Sequence, residues 1–478
     1  MRISTSMIYD RGVGAIQNQW KNILHTQQQV STGRRVLTPA DDPIASARAL
    51  EIGQTKAVNG QFSVNIGYAG DAMKLLESRL QSAGDVLHYV RERAVQAGNG
   101  ALAPEDLRYM ATDMKAQFEA MLSLANSQDG TGDYIFGGYR AQQQPYDGGL
   151  SGVSYNGDQG ERTIQVSASR YMPVSLPGSN VFDRTLVLNK ESVGVFASSA
   201  NKGEVSAAPG SPLTVSALDS SNVREATRYQ IEFLQRTDST DSSTADPTSA
   251  NRQYVVQRLG SDGQVVPWTD DELIGMGWTD GATPPGVSVP AGYSLSSDRS
   301  KIVLSLDPAG YTAPATPPTT LTIDGLTIDL PDDPVPDPVD APQEARQTKD
   351  GMVDGDKFEI YVPSTNLLNN MAMFASALEK PGASGMTGAV AFALETFDAG
   401  QENILKTRAQ IGSQLTETEA LASLGSDLDL QYASTLSGLQ DVDYAEAISR
   451  LTQQQTYLQA AQQSFMRVSG LSLFNYLS

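Results

Sequence analysis

Both ends of this chain are written in heptads, and that feature limits its fold more than any other. From Asp10 to Thr32 the positions Val13, Ile16, Trp20, Ile23, Gln27 and Val30 step by three and four. That spacing keeps one seam of an α-helix turned toward a partner helix. Gly33 follows as a C-cap, and Thr38-Pro39-Ala40-Asp41-Asp42-Pro43 breaks the helix and offers Asp41 or Asp42 as the next N-cap. Ala69, Met73, Leu76, Leu80, Ala83, Leu87, Val90, Ala94 and Ala97 then hold the same spacing through four heptads. After Pro104, Leu107, Met110, Met114, Phe118, Met121, Leu122 and Leu124 mark a third helix, expected to end near Asp129-Gly130. Far along the chain, after Pro381, Leu394, Phe397, Ile404, Ile411 and Leu415 resume the pattern. A final helix from about Tyr444 carries Ile448, Leu451, Gln455, Leu458, Gln462 and Phe465 and runs into Leu471, Leu473, Phe474, Tyr476 and Leu477.

Between about Gly137 and Gly385 the period changes. Gly, Pro, Ser, Thr and Asp dominate, and apolar residues alternate in short runs: 162–167, 229–233, 254–258, 264–266, 321–323, 326–328 and 358–362. Ser261-Asp262-Gly263 and, more strongly, Asp324-Gly325 stand between such runs as hairpin turns. The chain is therefore expected to be α+β. A long antiparallel bundle or coiled-coil stem comes from both ends, and a β-rich outer region, of one or two subdomains, is inserted between them. The division reads as a terminal coiled-coil region (1–40 with 441–478), a helical bundle (41–140 with 386–440) and the insert (141–385). Helices with seams this narrow bury too little to fold alone, so the ends need partners. Ile16, Trp20, Ile23, Val30, Ile448, Leu451, Leu458, Phe465, Leu473 and Phe474 form the candidate assembly stripe.

Composition removes most chemistry. The 478 residues carry a net charge of −21, which disfavours nucleic acid and anionic lipid. More than half of that charge, a net −12, falls between Asn201 and Asp350, marking the insert as solvated surface. There is no cysteine, which excludes disulfides, thiolate metal sites and thiol nucleophiles, and only two histidines, His25 and His88. Gly12-Val13-Gly14 lacks the third glycine of a phosphate loop, and Asp354-Gly355-Asp356 lacks the remaining ligands of a calcium loop. The run Pro331–Asp340 reads as an acidic, extended linker. No stretch of about 18 apolar residues offers a membrane span, and Met1–Asp10 has no apolar core of a cleaved signal. Neither an enzyme nor a cofactor-binding protein is expected, and no nucleic acid or membrane insertion.

The terminal motifs resemble a known family. Arg2-Ile3-Ser4-Thr5, Gln29-Val30-Ser31-Thr32-Gly33-Arg34-Arg35, Pro39–Pro43, Val90–Gln96 and Asp443–Ala447 with Leu458–Ala461 are similar to the signatures of bacterial flagellins. The start Met1–Thr5, the segment Tyr134-Ile135-Phe136-Gly137-Gly138-Tyr139-Arg140 and the ending Ser472–Leu477 resemble the hook–filament junction branch of that family rather than flagellin itself. The resemblance implies a structural, ring-forming subunit that joins the hook to the filament; the alternative is a flagellin that builds the filament. It also implies export through the flagellar type III apparatus without a cleaved signal. The implied partners are other copies of the chain, the proximal hook-associated junction protein, flagellin, and a cytosolic export chaperone on the C-terminal helix.

Overall fold

The computed structural model describes residues 5–186, 188–198, 201, 213–219, 222–236, 251–276, 278–280, 287–288, 293–305, 319–330, 355–381 and 385–474. The fold is α+β. Its helices are α1 (Thr5–Thr32), α2 (Pro43–Ala97), α3 (Pro104–Ala125), α4 (Asp270–Gly275), α5 (Leu367–Glu379), α6 (Gly385–Gln440) and α7 (Tyr444–Phe474). The chain divides into a terminal unit (Met1–Gly70, Gln165–Met172, Thr416–Ser478) and a central unit (Asp71–Ile164, Pro173–Leu415). The Pro331–Asp340 run and Asp354 lie outside the described residues.

In the terminal unit α1 stops where expected, at Gly33 with φ +71°. Pro43 opens α2, and the Asp42 carboxylate accepts from the Ala45 amide at 3.0 Å, a side-chain cap on an otherwise unpaired donor. The beginning of α2 lies antiparallel to the end of α6. Asn59 donates to the Gly425 carbonyl at 2.8 Å, and Lys56 meets Asp429 at 3.5 Å. The tip of a hairpin sits on the same helices: Asn65 donates to the Gln165 carbonyl at 2.6 Å, and Arg170 grips Glu417 through two hydrogen bonds of 2.6 Å. Gly53, Gly60 and Gly67 fall seven residues apart in this stretch of α2, where a Cβ would meet nothing within 4 Å. Each glycine costs a helix about 1 kcal/mol relative to alanine, and no contact in this chain explains them.

In the central unit the remainder of α2 buries Met73, Leu76, Leu80, Ala83, Leu87, Val90, Ala94 and Ala97, none more than 2% exposed. Its partner α6 runs the other way: Glu77 pairs with Arg408, His88 with Gln401 and Arg91 with Asp398. The α6 seam is Ala393, Phe397, Gly400, Ile404 and Ile411. Leu394 and Leu415, expected in it, are only half-buried. Gly400 takes that place because Leu367 of α5 presses in; a Cβ there would stand 2.7 Å from Leu367. Helix was expected only after Pro381, and α5 corrects this. Eleven of its 13 residues are buried, so it has no polar face and hence no period to read. Asn366 caps it, accepting from the Leu368 and Asn369 amides.

The insert opens with hairpins β1 (Tyr146–Gly149) with β2 (Gly152–Tyr155), and β3 (Thr163–Ser167) with β4 (Arg170–Pro173). Then come β5 (Gly194–Ala197), β6 (Thr214–Leu218), β7 (Thr227–Arg236), β8 (Asn251–Leu259), β9 (Thr279–Asp280) and β10 (Val287–Ser288). β11 (Tyr293–Leu295), β12 (Lys301–Ser305), β13 (Thr320–Ile323), β14 (Leu326–Asp329) and β15 (Lys357–Val362) complete the set. A six-stranded antiparallel sheet has the order β11-β12-β8-β7-β15-β5, and a three-stranded one β13-β14-β6. Alternate residues such as Tyr229, Ile231 and Phe233 of β7 and Phe358, Ile360 and Val362 of β15 point into one core, where they meet Leu321, Ile323, Leu326 and Ile328.

Asp324 knots that core. It occupies the β13–β14 turn with φ +45°, followed by Gly325 at +78°, the two left-handed residues that a two-residue type I′ hairpin requires. Its carboxylate is 4% exposed and accepts from the Tyr229 hydroxyl at 2.6 Å, Arg258 Nη1 at 3.0 Å and Trp268 Nε1 at 3.0 Å. Arg258 also donates to Glu272 at 2.9 Å and lies 4.9 Å over the Trp268 ring. Asp324→Ala would leave that buried guanidinium short of a counter-charge. The expected loss is about 3–5 kcal/mol, read in urea unfolding from the Trp268 and Trp278 fluorescence; an unchanged midpoint would contradict the knot.

Asp183 supplies a second test. Its carboxylate accepts from Asn366 Nδ2 at 2.7 Å and the Tyr146 hydroxyl at 3.2 Å. Burial raises its pKa from 3.8 to about 6, the Tyr146 bond acting against the shift and the Glu225 charge with it. Between roughly pH 4 and 6 the folded chain therefore holds a proton that the unfolded chain has lost, and this contribution to stability falls as pH rises through that window. Asp183→Asn, which keeps an acceptor for both donors, is expected to raise stability at pH 8 by about 1–3 kcal/mol and to change little at pH 3.5. Urea titrations at the two pH values check it.

Candidate assembly surface

The two chain ends come together as an antiparallel pair, α1 with α7. Gln19 donates to the Gln454 carbonyl at 3.2 Å, and the Tyr9 and Phe465 rings lie 4.9 Å apart. The pair is clipped at one end by backbone. Val442 N donates to the Gly33 carbonyl at 2.9 Å, and Arg35 N donates to the Gln440 carbonyl at 2.6 Å. Arg35 Nη2 adds a bond of 2.8 Å to the Leu439 carbonyl.

The seam differs from the expected one by a step at alternate positions. On α1, Ile16, Gln19, Ile23, Thr26 and Val30 face inward, and Trp20 and Gln27 do not. On α7, Ala447, Leu451, Gln454, Leu458, Ala461 and Phe465 face inward, and Ile448, Gln455 and Gln462 do not. Each helix thus alternates small or neutral polar residues with apolar ones along the seam and turns Trp20 and Ile448 out. Small side chains let two helices approach closely. At Gly12 the helices are in tight contact, since a Cβ there would stand 2.7 Å from the Phe465 ring.

Of the ten stripe residues, Ile23 and Leu458 are buried, and Ile16, Val30, Leu451 and Phe465 are half-buried. Trp20 and Ile448 are 48% and 52% exposed. Leu473 and Phe474 end α7, and their side chains lie outside the described residues. Sequence reasoning missed the outward residues Leu24, Tyr457 and Met466. Their signal was present as large apolar residues just off the seam, one or four positions from a stripe residue.

The terminal unit as a whole buries little. Among the described residues its buried apolar side chains larger than alanine are Ile23, Ile66, Val166, Met172 and Leu458. Among the described residues the same unit holds 15 of the 21 large apolar side chains that are exposed. Single exposed apolar residues are ordinary; their concentration on one unit makes it the candidate assembly surface. Among the described residues no cluster of His, Cys, Asp or Glu could hold a metal, and no helix is long and apolar enough to cross a membrane.

Part of this chain is similar to known flagellar proteins. Residues 3–141 match the family model described as the bacterial flagellin N-terminal helical region. More particularly, the chain is similar to flagellar hook-associated protein 3 of Salmonella typhimurium, 36% identical over 183 residues, and to that of Escherichia coli, 35% identical over 183 residues. The match covers 38% of this chain and spans 57% of the length of each of those relatives. Among solved structures, FlgL of Xanthomonas campestris aligns at 20% identity with a TM-score of 0.45, over 81% of this chain and 99% of that one. Hook-associated protein 3 of Legionella pneumophila aligns at 22% and 0.44, over 81% and 98%.

The close approach at Gly12 separates two outcomes. Gly14, where a Cβ meets nothing within 4 Å, should gain up to about 1 kcal/mol of helix stability as alanine. Gly12→Ala should show no such gain, because the Phe465 ring must move. Hydrogen exchange across α1 in the two variants distinguishes them, and equal protection would contradict the packing.

Proposed function

We propose that this chain is a structural junction subunit of the bacterial flagellum, forming a ring that connects the hook to the flagellin filament. The observation that carries the reading is the terminal unit's exposed apolar surface, which a lone chain leaves in water. Burial of one such side chain is worth roughly 1.5–3 kcal/mol, so neighbours that cover Trp20, Leu24, Ile448 and Met466 would supply what the α1–α7 seam lacks. The similarity to proteins named hook-associated protein 3 supports a junction role over a filament role. In this reading residues 1–40 with 441–478 make the assembled core, 41–140 with 386–440 the bundle around it, and 141–385 the outer region.

The reading includes passage through the flagellar type III apparatus without a cleaved signal. It includes contact with the proximal hook-associated protein on one side and flagellin on the other. An export chaperone would cover α7 beforehand. No catalytic step is part of it.

Two kinds of substitution test it. Leu458→Asp or Phe465→Asp places a charge in the α1–α7 seam; Trp20→Asp with Ile448→Asp leaves the seam intact and charges only the outward face. Both kinds are expected to give normal hooks, no filaments and flagellin in the medium, with the central unit still folded. Normal filaments in the Trp20/Ile448 variant at normal protein levels would overturn the surface as an assembly face. Long filaments formed by the purified chain alone would favour the flagellin reading.

A further inference from the structure

A groove of about 560 Å³ opens in the terminal unit beside α2, lined by Val36, Leu37, Pro39, Ala49, Leu50 and Ala57. Its only charged lining residue is Arg34, whose side chain is exposed and has no ion pair among the described residues. The groove's floor is the start of a longer unpartnered face. Leu50, Gly53, Ala57, Gly60, Val64 and Gly67 step by three and four along α2, the spacing of a second helix seam. Leu50 and Val64 are 66% and 68% exposed, and a Cβ at any of the three glycines meets nothing within 4 Å. Glycine disfavours a helix interior, so three of them on one empty face point to close approach by a backbone from outside this chain. The same unit carries a fitting counterpart. On α6, Leu424 and Leu430 are exposed, and between them Asp427 is exposed with no ion pair among the described residues.

We propose that the groove and the glycine face of α2 receive the Leu424–Asp427–Leu430 face of α6 from a second copy of this chain. Asp427 meets Arg34, and Leu424 enters beside Leu50. The two surfaces differ, so the contact is head-to-tail, and it closes into a ring if the rotation per copy allows. A stable dimer interface typically needs about 1,600 Å², more than one groove offers. The contact therefore rests on the assembly reading above, in which the outward faces of α1 and α7 join as well.

The test uses flagella from a strain that depends on this chain. Gly60→Leu is expected to leave the purified chain with unchanged circular dichroism, monomeric elution and a thermal midpoint no lower than wild type. Its incorporation into flagella is expected to fall at least tenfold. Incorporation within twofold of wild type overturns the inference. The chain has no cysteine, so Leu50→Cys with Leu424→Cys reports the occupant directly: mild oxidation of isolated flagella should give disulfide-linked dimers and longer ladders. If Gly60→Leu blocks incorporation but no dimer forms, another protein fills the groove and the second copy is ruled out. Absence of the wild-type chain from flagella defeats the assembly reading and this inference with it, whereas failure of the groove alone leaves the wild-type chain in place.

Discussion

The α1–α7 pair is held by a seam that is half Gln, Thr, Ala and Gly, and the other properties of the terminal unit follow from that weakness. A seam of this kind buries little apolar area, so helices of this length gain their stability from whatever else covers them. The larger residues face out instead: Trp20 and Leu24 on one helix, Ile448 and Met466 on the other. A chain built to be stable alone would reverse that choice. The polar seam does have a benefit, since Gln19 can donate to the Gln454 carbonyl and so help to set the register. Apolar contact alone would set it less strictly.

The central unit follows the opposite rule. Its apolar side chains gather in a continuous buried core, and several buried polar groups are paired inside it. Asp324 illustrates how: a turn residue in the left-handed region accepts from a phenol, an indole and a guanidinium at once. Removing any one donor leaves a buried charge less well satisfied. This unit therefore has reason to fold without neighbours, and the terminal unit does not.

Much of this was legible in the sequence. The run from Ala69 to Ala97 predicted a buried face, and every residue in it is buried, because four uninterrupted apolar heptads admit only one inward side. Asp324-Gly325 predicted its turn for a similar reason, as few residues tolerate that backbone. The α1 and α7 seams were read a step wrong at Trp20, Gln27, Ile448, Gln455 and Gln462. Size suggests inward packing, but close helix approach favours the small neighbour. α5 was missed because a helix buried on all sides shows no polar stripe, and α4 because six residues are too few for a period. The candidate assembly stripe is visible in the sequence only as an excess of apolar residues. Which of its residues turn outward depended on the seam's register, which a single chain's pattern leaves open.

The clip at Gly33, Arg35, Gln440 and Val442 ties together points some four hundred residues apart by backbone and guanidinium bonds. For a chain closed at such a clip, the entropic cost of closing the intervening loop grows only with the logarithm of its length, about 0.6 kcal/mol for each doubling. The middle of the chain can thus lengthen, shorten or change its sheets at small expense to the pairing of the ends.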